Sequence, residues 1–494
     1  MTADSLENVV AVARSKAAYE VCSVPGSAPE IGGATNSAEA ALHRLFHTWR
    51  LDPNSYGTET WNPLAALIPF GSKIVIKPNW VFHENQSGAG LDCLLTHASI
   101  IEGVAKYAAL TKPAQLLIGD APIQACNFAQ LRRLAGVDDL ENRLRQHGVQ
   151  FSIADFRRTI LKGSAITQQR SEGVRELEHF VLFDLERDSL LEPLSEDANK
   201  FRVTMYNPDL LQRTHHAGRH QYLVAREVIE ADVVISLPKL KSHRKACVTG
   251  ALKNLIGING NKEYLPHHRK GGSASHGDCY PGQSAWKGAA EDLLDAANRR
   301  PQGRTRAAFA WMAGTAERIA VKVGADENLE GSWHGNDTIW RTCLDLQRIL
   351  RYGRLDGSFA ATPQRTVISI TDAVIGGEGE GPLANTPVPS GFVTGALNTA
   401  AAEWVHARLM GFDPDKIPLI REACGDFKYP LTDFSPDSIR VWIADMEKSA
   451  QEIFPFEGRA FRPPRGWQGH CELKDRHILP QTEPTKPLFV RATE

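Results

Sequence analysis

From residue 73 onward, short runs of β-branched and aliphatic residues alternate with longer segments whose apolar positions recur every three or four residues. KIVIKPN (73–79), AQLLIGD (114–120) and VQFSIADF (149–156) read as strands, and HASIIEGVAKYAAL (97–110) and FAQLRRLAGVDDLENRLRQHG (128–148) as amphipathic helices. Strands alternating with helices predict right-handed βαβ units and a parallel, doubly wound sheet, hence an α/β, Rossmann-like fold. EHFVLFDLE (178–186) and FRVTMYN (201–207) fit strands of an insertion or a sheet edge. The sheet pattern returns in ADVVISLPKLKSH (231–243), TVISITDAVIGG (366–377), GFVTGAL (391–397) and SIRVWIA (438–444). Residues 285–325, 336–352, 399–411 and 416–425 carry helical spacing, as does SAEAALHRLFHTWRL (37–51).

These patterns divide the chain into five parts: an N-terminal helical extension (1–70), a first part of the α/β core with a Lys/His-rich loop (71–284), a helical insertion (285–360), a second part of the core (361–445) and a C-terminal tail rich in proline and charge (446–494). No internal repeat is apparent. The segment 257–284, rich in Gly, His and Ser, is too long for an ordinary connection and is expected to be either functional or disordered.

Composition narrows the partners. The 494 residues carry 56 Lys+Arg against 58 Asp+Glu, which disfavours a nucleic-acid coat. The N-terminus has no apolar signal region, and no run of about 20 apolar residues suggests a membrane span. Cysteines stand at 22, 93, 126, 247, 279, 343, 424 and 471 with no CxxC pair, so reduced thiols in a cytoplasm are expected and an iron–sulfur cluster is not.

Ligands of doubly wound sheets sit beyond the carboxyl ends of the strands. Those ends carry Lys77 and Asn79, then Asp120, then Lys239, Lys241 and His243, and then Asp372, followed by the glycine-rich Glu378 and Glu380. Each end alone is an ordinary surface turn, but four together point to one crevice. VTGALKN (248–254) reads as a turn entering a short helix, with Thr249 as its cap, the first amides as an anion nest, and Lys253 and Asn254 one turn on. The spacing of Gly250 and Lys253 does not fit a nucleotide phosphate loop. GGEGEGP (376–382) predicts a flexible acidic turn, whose carboxylates suit a general base or a cation. His215, His216 and His220 read as solvated loop histidines, whereas His267 and His268 are candidate metal ligands. GxSxG and a helix-opening GxGxxG are both absent.

KIVIKPNW (73–80), THASIIEGV (96–104), LLIGDAP (116–122), ADVVISLPKLKSH (231–243), VTGALKNLIG (248–257), ITDAVIGGEGEGP (370–382) and LMGFDPDKIP (409–418) resemble, in order, the domain of unknown function 362 family. The resemblance covers roughly residues 70–425. Some members carry ferredoxin-type cysteine clusters, a property this cysteine spacing does not support. The family is also distantly similar to nickel-pincer lactate racemases, in which a lysine holds the pincer cofactor and a downstream histidine ligates nickel. The matching positions would be Lys253 and His267 or His268. The racemases' Gly-Gly-Arg-Lys string stands here as Gly250-Ala251-Leu252-Lys253, and this departure counts against the pincer cofactor.

The sequence therefore predicts an enzyme acting on a small carboxylate- or phosphate-bearing anion, with neither nucleic acid nor membrane as partner. Lys253, His243, Asp120 and Asp372 are the expected catalytic groups. Lys77, Asn79, Lys239, Lys241, Thr249, Asn254, Glu378 and Glu380 are the expected substrate contacts, with racemase- or isomerase-like chemistry as one option and a divalent metal as a candidate cofactor. The alternative is a non-catalytic metal-, nucleotide- or partner-binding protein. Substrate and oligomeric state are left open.

Overall fold

The computed structural model describes residues 6–19, 37–162, 169–172, 174–204, 206–300, 303–323, 327–456 and 459–474; Cys22 lies outside them. A 12-stranded mixed sheet organises the chain. Its strands are β1 (Val9–Arg14), β2 (Lys73–Pro78), β3 (Gln115–Asp120), β4 (Ser152–Asp155), β5 (Val233–Leu237), β6 (Lys239–His243), β7 (Cys247–Thr249), β8 (Thr366–Glu380), β9 (Ala384–Val388), β10 (Phe392–Ala396), β11 (Arg440–Ile443) and β12 (Met446–Ser449). The main path runs β12-β11-β1-β10-β8-β5-β2-β3-β4, with β6, β7 and β9 joined beside it.

The central block β8-β5-β2-β3-β4 is wholly parallel. Its strands are aliphatic runs because helices cover both faces. On β2 the side chains alternate between two cores: Val75 enters one, Ile74 and Ile76 the other. One core lies under the helices Ser37–Thr48 and Ala98–Leu110, the other under Ile339–Tyr352 and Thr399–Met410.

From β2 the chain moves outward through β3 and β4, then returns to β5 on the opposite side of β2. The strand order therefore reverses between β2 and β5, and a crevice opens there at the carboxyl ends. Pro238, which has no N–H for a ladder, separates β5 from β6. Its carbonyl accepts the Asp372 N–H at 2.8 Å. Beyond this break β6 pairs with β8, bringing Lys239 opposite Asp372 and Lys241 opposite Gly377.

Three expectations change. The N-terminal part is not purely helical: Val9–Arg14 lies between β10 and β11, with Val10 and Val12 in one core and Val9, Ala11 and Ala13 in the other. The acidic turn at 376–382 is strand as far as Glu380, paired through Gly376–Glu380 with β9. The segment 257–284 is ordered, with short helical turns at Lys262–Tyr264 and Ser273–Ser275 and a bridge from His268–Arg269 to Phe201–Arg202.

Asn398 caps the helix Thr399–Met410: its Oδ1 accepts the Ala400 and Ala401 amides at 2.9 and 3.3 Å, and its Nδ2 donates to Leu431 O at 2.8 Å. Asn398→Ala removes both functions. Loss of a cap costs about 0.5–2 kcal/mol, and the second bond places this variant at the upper end. The check is a lowered midpoint of thermal or urea unfolding.

Candidate functional site

The crevice is built around a buried lysine. Lys77, at the end of β2, is 0% exposed and pairs with Asp120 of β3 at 2.7 Å. The strands are adjacent and in register, so an extended lysine from one reaches the carboxylate of the other. Lys77 also donates to Asn254 Oδ1 at 3.0 Å and to the Pro78 carbonyl at 2.8 Å. Asp120 accepts the Trp80 and Ala121 amides at 2.6 and 2.8 Å. Asn254 donates in turn to Ser236 Oγ at 2.9 Å and to the Lys77 carbonyl at 3.2 Å, and accepts from Asn79 Nδ2 at 3.2 Å. One amide thus ties β2, β5 and the turn after β7 together. Burial pushes the Asp120 carboxyl up and the Lys77 ammonium down, and each offsets the other's shift.

Gly257 sits against this pair. A Cβ there would stand 2.0 Å from Asp120 Oδ1 and 2.6 Å from Lys77 Nζ. Its carbonyl accepts the Ala121 N–H at 3.0 Å, so the turn is stitched directly to the end of β3.

A second fully buried pair lies along β6. Lys239 Nζ meets Asp372 Oδ2 at 2.7 Å and donates to Tyr19 OH at 2.7 Å and to the Ile375 carbonyl at 3.1 Å. Asp372 also accepts the His97 N–H at 3.0 Å and the Tyr19 hydroxyl. The Tyr19 and His97 rings stack with centroids 3.8 Å apart. Two residues on, Lys241 donates to the Leu94 carbonyl, and its ammonium is pushed well down by burial and by Lys239.

The remaining basic groups come from 243–267. Lys253 and Lys262 are 8% and 9% exposed. Burial lowers both ammonium groups, that of Lys262 to about 7, and Lys253, Lys77 and Lys262 lie within electrostatic reach of one another. Two imidazoles face this group. His243 Nδ1 accepts the Lys245 and Ala246 amides at 3.0 and 3.3 Å, so its proton resides on Nε2. His267 Nδ1 donates to the Leu265 carbonyl at 2.6 Å, leaving Nε2 as an acceptor. Burial and Lys253 push both rings well below the ordinary histidine range, so both are neutral near pH 7. The ion pairs use Asp120 and Asp372, so among the described residues Lys241, Lys253 and Lys262 have no carboxylate of their own.

Several expected contacts lie elsewhere. Thr249 does not cap the helix Ala251–Asn254; Gly250 occupies that position, and Thr249 Oγ1 is buried without a partner. The amides there meet an internal carboxylate instead: Leu252 N donates to Glu403 Oε2 at 3.1 Å. Glu378 and Glu380 hold the C-terminal segment, accepting the Arg462 and Arg465 amides at 2.8 Å each. The solvated histidines of 215–220 are also revised, because His215 and His220 are both 0% exposed and face each other across a hairpin, Nδ1 to Nδ1 at 3.3 Å. His267 and His268 both lie near Lys245, but only His267 is also by Lys253, whereas His268 lies with Cys279 and Glu291.

Tyr19, His97, Ser236, Thr96 and Glu403 are absent from the sequence-derived set. They reach the crevice from distant segments by long-range pairing, and only Thr96–His97, inside the resembling THASIIEGV stretch, offered a local signal.

Residues 191–408 match the model of the family described as Domain of unknown function (DUF362). The match covers less than half of the chain; the matched segment contains Lys239, Lys241, His243, Lys253, Asn254, Lys262, His267 and Asp372, while Lys77, Asn79 and Asp120 precede it. The chain is also similar, at 12% identity and a TM-score of 0.28, to a crystal structure of a protein from Thermotoga maritima. The aligned part covers 64% of this chain and 49% of that one, so the match spans about half of that protein's length. No curated protein matches. No helix among the described residues is long and apolar enough to cross a membrane.

Two outcomes follow from this geometry. Gly257→Ala drives a methyl group into Asp120 and Lys77; the expected result is a fall in thermal midpoint well beyond that of Gly103→Ala, where the Cβ meets only the flexible tip of Leu42. The second concerns pH. The Lys262 ammonium titrates near 7 when folded and near its ordinary 10.5 when unfolded. The unfolded chain therefore binds more protons between about 7 and 10.5, and stability of the ligand-free protein rises with pH across that window. Lys262→Met is expected to flatten the rise, read from urea midpoints at a series of pH values.

Proposed function

We propose that the crevice between β2 and β5 binds a small anion bearing at least two negative charges, and that the protein is an enzyme acting on it. The observation that carries this reading is the burial of Lys77, Lys239, Lys241, Lys253 and Lys262, of which, among the described residues, only Lys77 and Lys239 are paired with a carboxylate. A cluster of this kind is costly without a compensating charge. A bound phosphate monoester or dicarboxylate supplies that charge and restores each lowered ammonium to its protonated form.

The two carboxylates serve as counter-ions in this reading. Asp120 and Asp372 each accept from a lysine and from backbone amides, so they position Lys77 and Lys239 and are not free for proton transfer. Proton transfer falls instead to an imidazole. His267 Nε2 is free to take a proton, and the neutral His243 ring has an Nε2–H that donates a hydrogen bond to the bound anion. Beside an anion held by Lys253 and Lys262, this pair suits proton transfer at a carbon next to a carboxylate or carbonyl, an isomerase- or racemase-type reaction. One proton moves from carbon to His267 Nε2, and the resulting imidazolium returns a proton to carbon, so the balance closes without an oxidant.

Inorganic phosphate and small 2-hydroxy dicarboxylates are the probes. Calorimetry is expected to show binding accompanied by proton uptake between pH 7 and 8, because the anion restores the charge on Lys262. Lys253→Met is expected to weaken binding about 10–100-fold, the equivalent of one or two charge-assisted hydrogen bonds. Incubation of the hydroxy acids in D2O is expected to exchange the carbon-bound hydrogen, and His267→Gln to abolish exchange while retaining binding. Binding without turnover of any probe would favour a non-catalytic binding protein; affinity unaltered in Lys253→Met would remove the site altogether.

A further inference from the structure

A separate group of side chains lies where the loop 268–279 meets the helix Ala285–Asn298. One ring nitrogen of His268, the Cys279 sulfur and one Glu291 carboxylate oxygen all lie within 4.8 Å of one another. Three distant positions thus converge donors of three kinds. His268 is only 4% exposed, and its Nδ1 is buried with no hydrogen-bond partner. An orphaned ring nitrogen in such a place is costly unless something accepts its lone pair or takes its proton. The same three residues line a cavity with about 30 Å³ of positions open to a water's centre, room for an ion and one or two waters.

The surroundings fit a divalent cation. Besides Glu291, the cavity is lined by Asp295, Glu317 and Glu330 against the cations Arg202 and Lys287. Outer contacts already orient the donors. Both Glu291 oxygens accept the Gly271 N–H at 3.1 Å, and the Glu330 N–H points at Cys279 Sγ at 3.2 Å. His268 itself is anchored by its bridge to Arg202.

We propose that His268, Cys279 and Glu291 form a binding site for a borderline divalent metal of the zinc class, with a fourth position left to water or to a neighbouring carboxylate. A thiolate, an imidazole and a carboxylate select Zn²⁺ or Co²⁺ over Mg²⁺ and Ca²⁺, which take oxygen donors. The charges close: a dication with one thiolate, one carboxylate and a neutral imidazole is neutral. On binding, the Cys279 S–H bond is replaced by a sulfur–metal bond and one proton leaves to solvent. The ion ties the loop to the helix. His267 is adjacent to His268 and Lys262 precedes it on the same segment, so the clip fixes the stretch that brings both to the crevice.

The test uses the full chain, dialysed against chelator and titrated with Zn²⁺ or Co²⁺ alone. The expected result is one equivalent bound, a rise in thermal midpoint with Zn²⁺, and a thiolate-to-metal charge-transfer band with Co²⁺. Cys279→Ser should abolish that band. Cys279→Ser, His268→Gln and Glu291→Gln should each weaken Zn²⁺ at least about 10–100-fold, the loss typical of an outer-sphere partner alone. Cys424→Ser, a change at a half-buried thiol elsewhere, should leave binding intact. Failure of the wild-type chain to take up one equivalent, or retention of full affinity in Glu291→Gln and His268→Gln with native circular dichroism, would overturn the assignment. A Cys279→Ser variant that does not fold leaves the other two to decide.

Discussion

The ion pair between Lys77 and Asp120 is the constraint from which the rest of the crevice follows. It sits at the strand-order reversal, where no crossover helix covers the carboxyl ends of β2 and β5. A lysine at 0% exposure persists there only because every ammonium proton has a destination: Asp120, Asn254 and the Pro78 carbonyl. Those partners impose further requirements in turn. Asp120 needs the Trp80 and Ala121 amides, which fixes the turns after β2 and β3. Asn254 must approach from the turn after β7, and only glycine at 257 lets that turn come close enough. Removing one partner of such a pair costs about 3–5 kcal/mol, so the network behaves as a unit.

The same logic explains how later segments are placed. Asp372 is brought to Lys239 by the parallel pairing of β6 with β8, and Tyr19 and the amide of His97 complete its hydrogen bonds. Glu403 reaches from the helix Thr399–Met410 to the Leu252 amide and occupies the position where an external anion was expected. An internal carboxylate at that spot turns the first amides of the short helix into structure. In the proposed reading the anion is met instead by the ammonium groups of Lys253, in the same short helix, and Lys262, in the separate helical turn Lys262–Tyr264.

Much of this was legible in the sequence. The parallel block was readable because its strands are continuous aliphatic runs bounded by turns; Lys77, Asn79, Asp120, Lys239, Lys241 and His243 were readable because they follow those runs, and Lys253 and Asn254 because a turn there enters a short helix. Their burial was not, since a lysine at a strand end looks the same whether its ammonium meets water or a carboxylate from another strand. The strand Val9–Arg14 was hidden by its alanines and by a neighbouring sequence with helical character; only pairing with residues nearly 400 positions away makes it a strand. Glu378 and Glu380 looked like a mobile acidic turn because glycine dominates local propensity, yet β9 and the segment at 459–474 supply the pairing that keeps them extended.

Of the cluster at His268, Cys279 and Glu291, the sequence singled out only His268 as a metal ligand, for a related reason. Metal sites are recognised in sequence by short spacings between ligands of similar kind, and here the intervals are 11 and 12 residues with three different donors. What joins them is the loop's return against a helix, which no local pattern encodes. The two clusters also divide the electrostatics of the molecule. One gathers lysines around a shortage of carboxylates and the other gathers carboxylates and a thiol around an orphaned imidazole. The net charge of −2 conceals a strongly basic segment at 239–270, followed by the carboxylates Asp278, Glu291, Asp292 and Asp295. In the proposed reading each excess is compensated by a different ion, an anion at the sheet and a cation at the helix. The residues 262–268 connecting them are where occupancy of one would be felt at the other.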